Sequence, residues 1–248
     1  MIILTTLFFI TATLYASVGF GGGSTYLALM LIWEIPYYIF PIIALFCNII
    51  VVSGNSINFV RSGNINLKLI LPYLIGSIPF AFIGASISIE KEIFEILLFL
   101  VLIVAGLFLF LESNIYNKKD FKINSIPTFI SIFIGSLIGF VSGLVGIGGG
   151  IFLSPILFLL KAGYPKHITS TASLFILLNS IFGVAGQLTK EIVLNEFLNY
   201  WPLFLSVLIG GQIGNYLNIK LLSNKSLALL TSLLIIFIAI RMGFRILF

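Results

Sequence analysis

The chain has 248 residues, 60% of them hydrophobic and 8% charged, with a formal net charge of +5 and a mean hydropathy of +1.21. Such a composition excludes an ordinary soluble domain and describes a polytopic membrane protein. Its basic residues stand between apolar stretches and form no long run, so they read as membrane orientation and not as a nucleic-acid surface.

A helix needs about 20 apolar residues to cross the hydrocarbon core of a bilayer. The first apolar stretch, 1–33, is longer than this and lacks the cleavage pattern of a removable signal peptide. It is interrupted by Gly19-Phe20-Gly21-Gly22-Gly23. Each glycine costs a helix about 1 kcal/mol relative to alanine, so three in succession predict a break. Beyond the break the helix is expected to resume at Ser24-Thr25, whose hydroxyls can cap it or donate to a ligand.

Spans are predicted at 37–59, 68–89 and 93–111. The single cysteine, Cys47, permits no intrachain disulfide and reads as a small packed residue. Asn48, Asn55 and Asn58 lie broadly along one helical face that ends at Arg61, an arrangement suited to lining a path for anions. The hydrophilic interval from Glu112 to Ser125 then divides the chain nearly in half. The organisation read from this is a first membrane repeat at 1–112, a linker at 113–125 and a second repeat at 126–248.

The second repeat opens with an apolar stretch at 127–160, broken by Gly146-Ile147-Gly148-Gly149-Gly150. Ahead of the break, Gly135, Gly139 and Gly143 recur every fourth residue, a stripe suited to close helix packing, and Gly210 and Gly214 form a similar pair. Further spans are predicted at 168–187, 197–219 and 226–245. Thr169, Ser173, Ser180, Gly183 and Gln187 make a polar stripe comparable to the asparagines, with Asn179 beside it; interhelical hydrogen bonding is the alternative role for both stripes. All eight acids fall at span ends or in loops, which leaves no intramembrane carboxylate relay. No metal-ligand cluster or cofactor motif is present, and no base stands near Ser24, Thr25 or Ser154, so an enzyme is not expected.

The two halves are a duplication. Ile35-Pro36, Ala44-Leu45-Phe46 and Gly54 recur as Tyr164-Pro165, Ser173-Leu174-Phe175 and Gly183 at an offset of 129, and Pro72 and Ile83-Gly84 recur as Pro202 and Ile213-Gly214 at 130. If each glycine-broken stretch returns to its starting side, every half has three full crossings and the second half is inverted. One face then carries nine basic residues, including Arg61 and the three lysines of the linker, against four that include Lys190. If the stretches cross fully, the division is eight against five. The positive-inside bias favours the first arrangement, with the linker cytoplasmic and the N-terminus outside.

Half-helices that begin after glycine turns expose unpaired N–H groups and the positive end of the helix dipole, which together attract anions. Gly21, Gly22, Gly23, Ser24, Thr25, Gly148, Gly149, Gly150, Asn48, Ser173 and Asn179 are the expected substrate-binding residues. Asn55, Asn58, Arg61, Ser180 and Gln187 are the expected pathway.

At Gly146-Ile147-Gly148-Gly149-Gly150-Ile151-Phe152-Leu153-Ser154-Pro155 and Ser170-Thr171-Ala172-Ser173-Leu174 the chain resembles the sulfite exporter family of TauE/SafE type. Gly19–Gly23 and Phe59-Val60-Arg61-Ser62-Gly63 carry the same likeness in the first half. The resemblance implies a secondary transporter of sulfite, sulfonates or related organosulfur anions. One departure is that Pro155 has Ala28 as its first-half counterpart.

The expectation is therefore an all-α protein of the plasma membrane. Its two inverted halves each comprise a glycine-broken hairpin and three transmembrane helices, and it exports a small oxyanion without a cofactor. A channel-like or cation-coupled carrier, or an importer of such an anion, is the alternative.

Overall fold

A computed structural model describes residues 1–115, 124–190 and 196–217, together with Ile236, Ile240 and Gly243. The helices are α1 (Ile2–Val18), α2 (Gly23–Ile32), α3 (Phe40–Arg61), α4 (Leu67–Ser86), α5 (Lys91–Ile115), α6 (Thr128–Val145), α7 (Gly150–Leu159), α8 (Pro165–Gln187) and α9 (Trp201–Leu217), with short 3-10 turns at Tyr37–Ile39 and Leu198–Tyr200. There is no strand among the described residues. Four segments, Tyr37–Arg61, Leu67–Ser86, Thr128–Val145 and Lys166–Gln187, are long and apolar enough to cross a membrane. Most of the linker, and nearly all of the span expected at 226–245, lie outside the described residues.

Both glycine-broken stretches fold back on themselves. Gly19 caps α1 in the left-handed region at φ 88, and Gly22 begins α2 at φ 90, a conformation only glycine adopts without strain. Tyr26 of α2 then stacks on Phe8 of α1, with ring centroids 4.7 Å apart. Continuous helix would separate those residues by about 27 Å at 1.5 Å per residue, so the chain has reversed. The second stretch repeats the device, with Gly146 at φ 91 capping α6 and Gly149 at φ 77 opening α7. There Gly149 packs back against Ile138 and Ser142 of α6.

The halves exchange partners. α6 of the second half runs parallel to α4 of the first: Gly135, Gly139 and Gly143 lie against the backbone of Tyr73, Ser77 and Ala81 so closely that a Cβ would fall on each carbonyl oxygen. Reciprocally, α9 runs parallel to α1, with Gly210 against Phe9 and Gly214 against Thr13. This is the close backbone approach that small residues give membrane helices. The duplicated pair α3 and α8 meet directly and run antiparallel, since Leu45 lies at Gly183, Ser56 at Ser173 and Asn64 at Ser170.

Candidate functional site

The two breaks converge on Asn48 in the middle of α3. The first begins beside Phe59 and Thr169, against which Gly19 packs; the second begins beside Pro41, which meets Gly146. They therefore enter from opposite ends of α3 and overlap at Asn48, which is fully buried. Its Nδ2 donates to the Ile147 carbonyl at 3.0 Å, and that bond fixes the orientation of the amide. A Cβ on Gly21 would collide with Asn48 Oδ1. One on Gly23 would lie 2.6 Å from Ile147 O and 2.7 Å from Asn48 Nδ2, and one on Gly148 would lie 2.8 Å from that same nitrogen. Glycine is needed at all three positions because the backbone of one half presses on that of the other across a single amide.

Each helix start leaves its first backbone donors outside its own hydrogen-bond ladder. Thr25 and Tyr26 return their N–H groups to Gly22 O, and Phe152 and Leu153 return theirs to Gly149 O. The N–H groups of Gly23, Ser24, Gly150 and Ile151, immediately before these, have no carbonyl four residues back within their helices. Ser24 Oγ and Ser180 Oγ are buried without a partner, and Ser180 Oγ would stand 2.9 Å from a Cβ on Gly148.

Several expectations are corrected. Ser24 and Thr25 do not cap α2: the cap is Gly22, with no side-chain hydrogen bond, because the left-handed turn leaves the capping position to glycine. The Thr25 hydroxyl is engaged by Tyr15 OH at 2.8 Å within the hairpin. At the second break, Ser180 of α8 and Ser142 of α6 stand beside Gly148 and Gly149. Asn58 departs from the buried stripe. At about 100° per residue it stands some 60° round from Asn55, and it is exposed while Asn48 and Asn55 are buried.

The remaining positions divide between the two ends of the α3–α8 contact. Toward Arg61, Ser56 Oγ meets Ser173 Oγ at 3.4 Å, and the Asn64 carbonyl accepts from Ser170 Oγ at 2.7 Å with His167 Nδ1 at 3.0 Å. Arg61 is exposed at the end of α3. Asn179 donates to Phe175 O within its own helix at 2.8 Å, and its Oδ1 has no partner. At the other end Gln187 is buried beside Lys190. Ser56, Ser142 and Lys190 were not singled out by the sequence reading. Lys190 had a signal, since it is the counterpart of Arg61 at the 129-residue offset.

A family model for the sulfite exporter TauE/SafE matches residues 4–242. The chain belongs to the sulfite exporter TauE/SafE family. Among curated relatives of this TauE/SafE protein, "Probable membrane transporter protein y4hK" of Sinorhizobium fredii is 28% identical over 231 residues, covering 92% of each chain. "Probable membrane transporter protein YunE" of Bacillus subtilis is 25% identical over 264 residues, covering 96% of this chain and 95% of the relative. No solved structure matches. Membership of the TauE/SafE family makes this a membrane-integral transporter, which fits four helices apolar and long enough to span.

Proposed function

We propose that the protein carries a small oxyanion, sulfite or an organosulfonate, outward across the plasma membrane, and that the anion binds where the two glycine breaks meet at Asn48. The observation that carries this reading is the junction itself. Two half-helix starts, one from each repeat, meet at a single buried amide, and the unpartnered hydroxyl of Ser180 stands beside Gly148 there. Such a donor set stabilises an anion in a low-dielectric site and has no carboxylate to repel it.

The repeats are inverted in this reading, with the N-terminus outside and the linker cytoplasmic. The antiparallel run of α3 and α8, which are duplicates of one another, supports inversion, as does the return of each hairpin toward its start. A two-fold axis in the membrane plane then gives one site two equivalent approaches, and rocking of the repeats opens them in turn. With the inside negative, one negative charge leaving gains about 2.3 kcal/mol per 100 mV, so export proceeds without a proton relay.

The test is efflux of sulfite and of organosulfonates from proteoliposomes at imposed potentials. The expected result is saturable flux that rises as the lumen is made negative. Absence of potential-sensitive flux for every sulfur oxyanion overturns the reading. Cation coupling is the second reading, favoured by the unpartnered carbonyl oxygens Asn48 Oδ1 and Asn179 Oδ1. It predicts that a sodium or proton gradient drives flux at zero potential.

A further inference from the structure

Lys190 and Gln187 border a cavity of about 300 Å³ at the end of α8, distant from Arg61 because α3 and α8 are antiparallel. Its other walls include Ser88, Ile87 and Leu144, together with Pro41, the residue against which the second glycine break begins. The cavity therefore abuts the α6–α7 break from the mouth opposite Arg61.

The hydrogen bonding inside it is unbalanced. An ammonium has three donors; Lys190 Nζ gives one to Ile87 O at 2.9 Å and one to Gln187 Oε1 at 3.2 Å, and one remains. Because Gln187 turns its oxygen to the ammonium, its Nε2 faces away, and that nitrogen is buried without an acceptor on a side chain 0% exposed. No carboxylate among the described residues pairs with Lys190; the ion pair found there joins Lys91 to Glu95. Of the other titratable groups on the cavity wall, Tyr37 and Tyr38, the second donates its hydroxyl to Glu196 Oε2 at 2.8 Å. A half-buried ammonium with a spare N–H, beside a fully buried amide N–H that has no acceptor, calls for one.

We infer that this cavity is a second anion site, holding a small oxyanion between Lys190 Nζ and Gln187 Nε2 at the mouth opposite Arg61. The duplication adds an independent reason. At the 129-residue offset Asn58 and Arg61 become Gln187 and Lys190, so an amide followed one turn later by a cation closes each of the antiparallel helices. Burial lowers the Lys190 ammonium to about 8. It is charged at neutral pH and loses its proton above that value, so anion binding is present below pH 8 and weakens as pH rises through it.

Only the place of this site on a transport path rests on the anion-carrier reading; its anion binding does not. The probe is inorganic sulfate, whose charge is constant over the range used, titrated onto the full chain in detergent. Sulfate is expected to bind saturably to the unsubstituted protein and about tenfold more weakly at pH 9 than at pH 7, as a lysine near 8 deprotonates. Lys190→Gln should remove one class of sites at both pH values, Lys190→Arg should keep it and abolish its pH dependence, and Gln187→Leu should weaken it. Placing Lys190→Gln in a Gly23→Ala background, where the central site is blocked, isolates the signal. Sulfate binding that is unchanged in Lys190→Gln, or absent from the unsubstituted protein, overturns the inference. Loss that is equal in Lys190→Arg and Lys190→Gln does so too. Lys190-dependent binding in a protein that moves no sulfur oxyanion contradicts the carrier reading alone.

Discussion

Asn48→Leu is expected to cut oxyanion flux in proteoliposomes steeply while leaving a monodisperse, membrane-inserted protein. Leucine fills nearly the same volume, so the packing of α3 is largely kept, but the amide that joins the two halves is gone. Ile147 O, which accepts from Asn48 Nδ2 at 3.0 Å, is left without that donor. An orphaned buried carbonyl costs about 1–3 kcal/mol, and the cost falls on the conformation in which the breaks meet. Each 1.4 kcal/mol is about a factor of ten in occupancy, so flux should fall by roughly tenfold to a hundredfold. Asn48→Asp should be at least as damaging, since it keeps the shape and places negative charge where the anion binds. Flux at the unsubstituted level in Asn48→Leu would mean that the amide is only an interhelical tie.

The second large effect is expected at Gly23 and Gly148. A single methyl suffices, because a Cβ on Gly23 meets Ile147 O at 2.6 Å and one on Gly148 meets Asn48 Nδ2 at 2.8 Å and Ser180 Oγ at 2.9 Å. Gly148 also has φ 82, which adds about 1–2 kcal/mol for any residue with a side chain. Gly23→Ala and Gly148→Ala should each eliminate transport with little loss of inserted protein. Two other glycines calibrate the measurement. Gly63, at φ 66, pays the same backbone strain but has nothing within 4 Å of its Cβ position, so alanine there should cost some stability and leave transport intact. Gly139, pressed on the Ser77 carbonyl, should lose yield and flux together, because the α4–α6 crossing itself is wedged apart. If Gly23→Ala behaves like Gly139→Ala, the glycine breaks serve folding and not binding.

Much of the organisation was legible because it rests on local chemistry and on repetition. Three glycines in an apolar stretch break a helix whatever surrounds them, and the 129-residue offset matched α3 to α8 before either was placed. The partner exchange between halves was half legible. The Gly135, Gly139 and Gly143 stripe announced a close crossing, but periodicity alone does not say that α4 of the other half fills it. The site was less legible for the same reason. Asn48 and Asn58 look alike in a helical stripe, and only the tertiary arrangement places one where the two breaks meet and leaves the other exposed. Ser180 and Ser142 complete the second break from other helices, a contribution no local motif records. At the first break, Ser24 and Thr25 suggested a side-chain cap by composition; the left-handed turn at Gly22 settles the cap by geometry instead.

The most direct measurement is a structure of the protein in a lipid nanodisc with selenite, whose scattering marks an oxyanion of sulfite's shape. The account predicts density within hydrogen-bond reach of the Gly23–Ser24 and Gly149–Gly150 backbone, beside Asn48. Saturated density elsewhere, with the two breaks sealed against one another and Asn48 still on Ile147 O, would contradict it.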